Sequence, residues 1–226
     1  MLSRTLILSG LAFAAVVGAA RAETPPQKSI DDLCAERACR TGGYEVAVRI
    51  NDKHYTTVPI GRSPYVTEDG DILIYPGETL AFQFAVDGDK LRAPTFVKAF
   101  SAQFPASIAT EDSLSDNPAD ATLPKIPEGL SGERMAILPE NTLLVSYGQY
   151  GDDSGMIMEL DQNLTQKLKL DATMFLIEKN AYDQQYTSTC PIYPGHSVME
   201  FWPHEIGPIV LSNFRFLKDS DDMACK

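Results

Sequence analysis

The chain predicts an all-β fold: a single antiparallel β-sandwich, immunoglobulin-like or jelly-roll-like, with a short helix near the amino terminus. Three observations carry that reading. Several segments alternate apolar and polar residues with period two, the pattern of a sheet with one buried face. Turn-forming residues separate these segments at short, fairly regular intervals, as in sandwiches and barrels. Four cysteines stand in a chain that opens with an export signal, where sulfur bridges can form.

Residues 1–22 read as a secretory signal peptide. Arg4 supplies the positive start, Leu6–Ala15 the apolar run, and Ala20-Arg21-Ala22 the small-x-small cleavage site before Glu23. The run is too short for a membrane span, and no later stretch approaches the ~18 unbroken apolar residues that a spanning helix needs. The expected location is therefore periplasmic or secreted, with no stable membrane insertion of the mature chain. Removing Arg4 and Arg21 from 19 basic residues leaves 17 against 31 acidic ones, so the charge goes from −12 to −14. Such a surface repels nucleic acid and anionic lipid, so no nucleic-acid partner is expected.

Residues 23–43 are expected to form a leader with a short helix and a local disulfide. Ser29-Ile-Asp-Asp32 has the form of a helix start, with Ser29 as cap and Asp32 at the third position. Cys34, Cys39, Cys190 and Cys225 allow three pairings. Cys34–Cys39 with Cys190–Cys225 is preferred, one local and one closing the carboxy-terminal region. The local bridge requires the helix to end near Ala38, because a longer helix would turn the two thiols to different faces.

Residues 44–226 are expected to be the sandwich. Tyr44, Val46, Val48 and Ile50 share one face of a strand, and a turn at Asn51-Asp52 returns the chain through Ile60. Ile72–Tyr75, Leu80–Val86 and Phe96–Phe100 follow. Asp69-Gly-Asp71 and Asp87-Gly-Asp89 are read as tight turns rather than calcium ligands. A long, proline-containing loop is expected near 104–132. Strand pattern resumes at Arg134–Leu138, Thr142–Tyr147 and Met156–Leu160. Leu168–Glu178 is the longest strand candidate, and Ile209–Leu217 is the last. Asn163-Leu-Thr165 fits a glycosylation sequon and is read as a chance match.

Chemically capable side chains crowd together between Tyr186 and His204, where Tyr193, His196, Trp202 and His204 form the candidate functional surface. The run Cys190-Pro-Ile-Tyr-Pro-Gly-His196-Ser-Val-Met199 resembles the ligand loop of the azurin-like blue-copper proteins, the cupredoxins. That resemblance implies copper held by Cys190, His196 and Met199, with His54 as the second imidazole. Five residues separate Cys190 from His196, and the preferred bridge to Cys225 would occupy the same sulfur. Read structurally, Pro191, Pro194, Gly195 and Pro203 make an irregular crossing between strands whose aromatic residues bury apolar area. No nucleophile elbow, zinc-protease helix motif or glycine-rich phosphate loop occurs. No catalytic residue, metal ligand or cofactor is therefore assigned. The expected function is that of an exported, non-enzymatic envelope protein, a binding or structural module whose partner is a protein or a small ligand. A copper-binding redox protein using the Cys190–Met199 loop, and a hydrolase with an unrecognised site, are the alternatives.

Overall fold

The computed structural model describes residues 28–51, 54–104, 107–109, 131–149, 155–178, 181–218, 221 and 225. The expected signal peptide, the start of the expected leader and most of the expected 104–132 loop lie outside the described residues.

The first element is the helix α1 (Ile30–Glu36). It begins because the Ser29 hydroxyl accepts a hydrogen bond from the Asp32 N–H (3.1 Å) and the Asp32 carboxylate accepts one from the Ser29 N–H (3.3 Å). It ends at Glu36, which lets Cys34 and Cys39 bond with their Cα atoms 5.5 Å apart. Strand β1 (Cys39–Arg40) follows, then the hairpin β2 (Tyr44–Asn51) and β3 (His54–Ile60), then β4 (Ser63–Pro64), β5 (Ile72–Ile74) and β6 (Glu78–Gln83). The short hairpin β7 (Val86–Asp87) and β8 (Lys90–Leu91) turns at Gly88, and β9 (Thr95–Phe100) and β10 (Ser107–Ala109) come next. After the helix α2 (Ser131–Met135), the elements among the described residues are all strands: β11 (Thr142–Gln149), β12 (Met156–Gln162), β13 (Leu168–Glu178), β14 (Ala181–Ser188), β15 (Ser197–Trp202) and β16 (Ile206–Phe216).

Two sheets make the sandwich. One has the order β15-β12-β11-β6-β9, the other β14-β13-β16-β5, and every pairing is antiparallel. Alternation places the core. Val145, Tyr147, Met158, Leu160, Leu80 and Phe82 face inward from the first sheet, and Leu168, Leu170, Ala172, Ile209 and Leu211 meet them from the second. Tyr147 is fully buried on the central strand, and its hydroxyl faces the carbonyls of Ile206 and Gly207, each at 3.1 Å. Burial pushes that phenol well above its ordinary pKa, so it remains a donor across the core. A third sheet, β10-β2-β3, adds Val48 and Val58 to the same core. The Gln149 amide fastens it to the end of β11: its oxygen accepts from the Arg49 N–H at 2.7 Å and its nitrogen donates to the Arg49 carbonyl at 2.8 Å.

The structure departs from the sequence expectations at several places. Arg134–Leu138 is not a strand. It is the end of α2 and the turn after it, because its apolar residues are consecutive rather than alternating and Ile137 is left exposed. The stretch 186–204 is only partly an irregular crossing. Its ends belong to β14 and β15, and only the middle, bridged to β13 through Ile192 and Leu168, crosses between the sheets.

One buried ion pair joins the amino-terminal staple to both sheets. Arg40 is 2 % exposed; its Nε and Nη2 donate to the two carboxylate oxygens of Glu78 on β6 (2.6 and 2.7 Å). Nη1 donates to the Pro64 carbonyl (3.1 Å) and Nη2 also to that of Leu73 on β5. Tyr65 and Tyr75 stack against the guanidinium, their centroids 4.4 and 5.1 Å from its carbon. Removing one partner leaves the other charge buried and unpaired, which costs more than exchanging both for apolar groups. Arg40→Ala is therefore expected to destabilise the fold by about 3–5 kcal/mol. The double change Arg40→Met with Glu78→Leu should cost less, both being read by urea unfolding. An equal loss in the two variants would show that the fold does not depend on this pair as described.

Candidate ligand-binding cleft

Strand β13, eleven residues long, is buried where it crosses the core and loses its cover toward Glu178. An extra residue in β16 opposite Met174–Leu176 shifts the register there, and beyond it the Ile177 N–H donates to the Glu205 carbonyl at 2.9 Å. The β2–β3 hairpin stands opposite. Between these two hairpin ends lies a cleft of about 590 Å³. Ile50, Tyr55 and Pro59 line it from the β2–β3 side, and Ile177 and Tyr182 from the β13–β14 side. Glu178 and Glu205 supply its carboxylates, and no Lys or Arg lines it among the described residues.

The Tyr182 ring is held by its neighbours. It meets the Phe175 ring edge to face, with centroids 6.3 Å apart and an interplanar angle of 84°. It also crosses β16 at Gly207, where an added Cβ would come within 2.6 Å of the ring. Its hydroxyl titrates above the ordinary range, chiefly because of burial and secondarily because of Tyr75. The cleft is therefore lined by two tyrosines, by apolar Ile50, Pro59 and Ile177, and by two carboxylates.

The residues singled out from sequence do not meet in one place. Tyr193 and His196 sit together before β15, with ring centroids 6.4 Å apart and His196 Nδ1 2.9 Å from the Pro194 carbonyl. Trp202 ends β15 and packs against the core, and His204 is exposed just beyond. Six residue steps along β15, from His196 to Trp202, set the two pairs roughly 20 Å apart. Cys190 is bonded to Cys225, with Cα atoms 4.1 Å apart, so its sulfur is already used. Among the described residues no cluster of three or more His, Cys, Asp or Glu side chains is placed to hold a metal. For Asn163 the amide oxygen accepts from the Thr142 N–H (2.6 Å) and the nitrogen donates to the Pro139 carbonyl (2.9 Å), so the sequon side chain is engaged in structure. Gly70 and Gly88 both hold positive φ, +87° and +63°, as the tight-turn reading of the two Asp-Gly-Asp runs requires.

Two residues lining the cleft escaped the sequence reading. Tyr55 lay in a segment read only as a returning strand, and Tyr182 in a polar stretch not read as a strand. The available signal was Tyr182 and Tyr186, an even number of residues apart and hence on one strand face.

A second polar cluster lies on the outer face of the five-stranded sheet. Glu159 and Asp161 share that face of β12, covered by Gln103 and by Arg134 of α2, both buried. The Gln103 amide donates to Glu159, and its oxygen accepts from the Ser146 hydroxyl (3.1 Å) and the Arg134 guanidinium (3.4 Å). Burial raises the Asp161 pKa to about 7, Glu159 adds to the rise, and a hydrogen bond with Ser197 opposes it. These groups bond one another and hold the covering segments to the sheet, so the cluster is structural.

Comparison with known proteins returns no match: no protein-family model, curated protein or solved structure matches the chain.

A carboxyl whose folded-state pKa is raised favours its protonated form on folding. The resulting stability is full below the unfolded value, ~4, and is lost as pH rises through about 7. The protein should thus lose stability between pH 5 and pH 8 through Asp161. Asp161→Asn should flatten that dependence in urea unfolding at the two pH values, and an unchanged slope would show that Asp161 does not titrate in this window.

Proposed function

We propose that the protein is an exported, non-enzymatic binding module of the periplasm or extracellular space, and that its ligand sits in the cleft between the β2–β3 and β13–β14 hairpins. The observation that carries the reading is the pair Tyr55 and Tyr182 on opposite sides of a cleft that also bears the carboxylates of Glu178 and Glu205. Export is supported by the signal-like sequence at residues 1–22 and by two formed disulfides. Among the described residues no helix is long and apolar enough to cross a membrane. A ring inserted between the tyrosines gains apolar burial, and a positive group at the margin gains from both carboxylates and from the ring faces.

Tyramine, a phenol ring with an ammonium, is a minimal probe. Titrated into the protein, it should shift amide resonances of the two hairpins, and Tyr182→Ala should weaken binding by about tenfold, the loss of one well-packed aromatic contact. The anionic analogue 4-hydroxyphenylacetate should bind more weakly. No shift in the hairpins, or equal binding of the two probes, would overturn the reading.

A further inference from the structure

Strand β14 is the outermost strand of its sheet, and it is unusually bare. It pairs with β13 through eight consecutive partners, Asp171 with Ser188 through Glu178 with Ala181, without a register shift. Its side chains from Ala181 to Tyr186 are all exposed. Among the described residues no further strand pairs with its outer edge, so alternate N–H and C=O groups along that edge point away from the sheet.

Exposed edges are normally blunted by shortness, bulges, proline, lysine or inward-pointing charge. The other edges carry such devices. Strand β5 and strand β10 are three residues long. Strand β9 carries Lys98 and a register shift, and β3 contains Pro59. Strand β15 turns Glu200 toward the core side beside Met158, where the carboxylate accepts from the Cys190 N–H at 2.6 Å. Strand β14 has no Pro, no Lys and no bulge. Its single charge, Asp183, is exposed and bonded to the Gln185 amide at 2.5 Å.

The bare edge begins at the cleft, because Ala181 and Tyr182 belong to both. An added strand would lay its outward side chains beside Tyr182, Gln184 and Tyr186, and the one next to Tyr182 would reach the cleft. Main-chain bonding to an edge combined with a pocket for one side chain is the arrangement by which a sheet captures an extended peptide. Charge selects among occupants. Asp183 lies on the strand itself, Glu178 and Glu205 line the adjoining cleft, and Arg215 at the far end is engaged by Asp171 at 3.1 Å. A second copy would bring the same carboxylates and a net charge of −12 in the full sequence.

We infer that β14 accepts an extended basic peptide as an added strand and seats one apolar or aromatic side chain of that peptide in the neighbouring cleft. The inference rests on the cleft reading for its side-chain pocket and adds the edge as the main source of affinity.

The test uses a fluorescein-labelled octapeptide alternating Lys with Val and carrying one central Phe, titrated into the full mature chain by anisotropy. Saturable binding is expected. N-methylating alternate amides on the edge that would meet β14 should weaken it at least about tenfold, since those bonds supply the affinity. Replacing each Lys by Glu should abolish it, and Asp183→Lys or Tyr182→Ala in the protein should each weaken it several-fold. Equal binding of the N-methylated peptide would overturn strand addition. If tyramine still shifts the hairpins in that case, the cleft reading survives and only the edge inference falls; if it does not, both fall. Sedimentation showing a dimer that Asp183→Lys abolishes would assign the edge to a second copy and overturn the peptide as occupant.

Discussion

The Arg40 guanidinium is the constraint on which the architecture turns. It is almost wholly buried, yet its donors reach β4, β5 and β6 at once. Strand β5 belongs to one sheet of the sandwich and β6 to the other. Glu78, which neutralises it, also accepts from the Tyr75 N–H at 2.8 Å, so the carboxylate shapes the turn between the two strands. A charge cannot stay in such surroundings unless its partners are held in position, and holding them fixes the distance between the sheets. The Cys34–Cys39 bridge lies immediately before this point and anchors the strand that carries Arg40.

With the sheets held, the remaining features follow from how far each strand extends beyond the core. Tyr147 spans the interior and bonds β16, and Gln149 at the end of the same strand bonds β2. The β2–β3 hairpin is thereby fixed against the open end of the sandwich. Strand β13 runs past that end, and the space left between the two hairpins is the cleft. Its walls are extensions of strands rooted in a packed core, so they keep their spacing without a ligand, which is what a preformed site requires.

The contrast between β12 and β14 shows how the two faces are used. On β12, polar residues on the outer face are covered by Gln103 and α2 and bond one another. On β14 the exposed side chains and outer edge have no such cover among the described residues. Buried polar groups must be satisfied within the molecule, whereas exposed ones can be satisfied by water or by a partner. That difference directs attention to β14 as a surface for recognition and to the β12 cluster as part of the scaffold.

Much of the scaffold was determined by the sequence alone. Period-two alternation at Tyr44–Ile50, Leu80–Phe84 and Leu168–Leu176 specifies strands because water excludes alternate side chains whatever the rest of the chain does. The Ser29–Asp32 cap is likewise local, whereas the stop of α1 at Glu36, on which the Cys34–Cys39 bridge depends, is seen in the structure. The site was decided only by tertiary structure. Tyr55 and Tyr182 are 127 residues apart in the chain, and nothing local brings them together. The stretch around Tyr193, His196, Trp202 and His204 is close in sequence, but an extended strand carries its two halves apart. Proximity along the chain reports proximity in space only within a turn or a helix; across a sandwich, strand order decides which side chains meet.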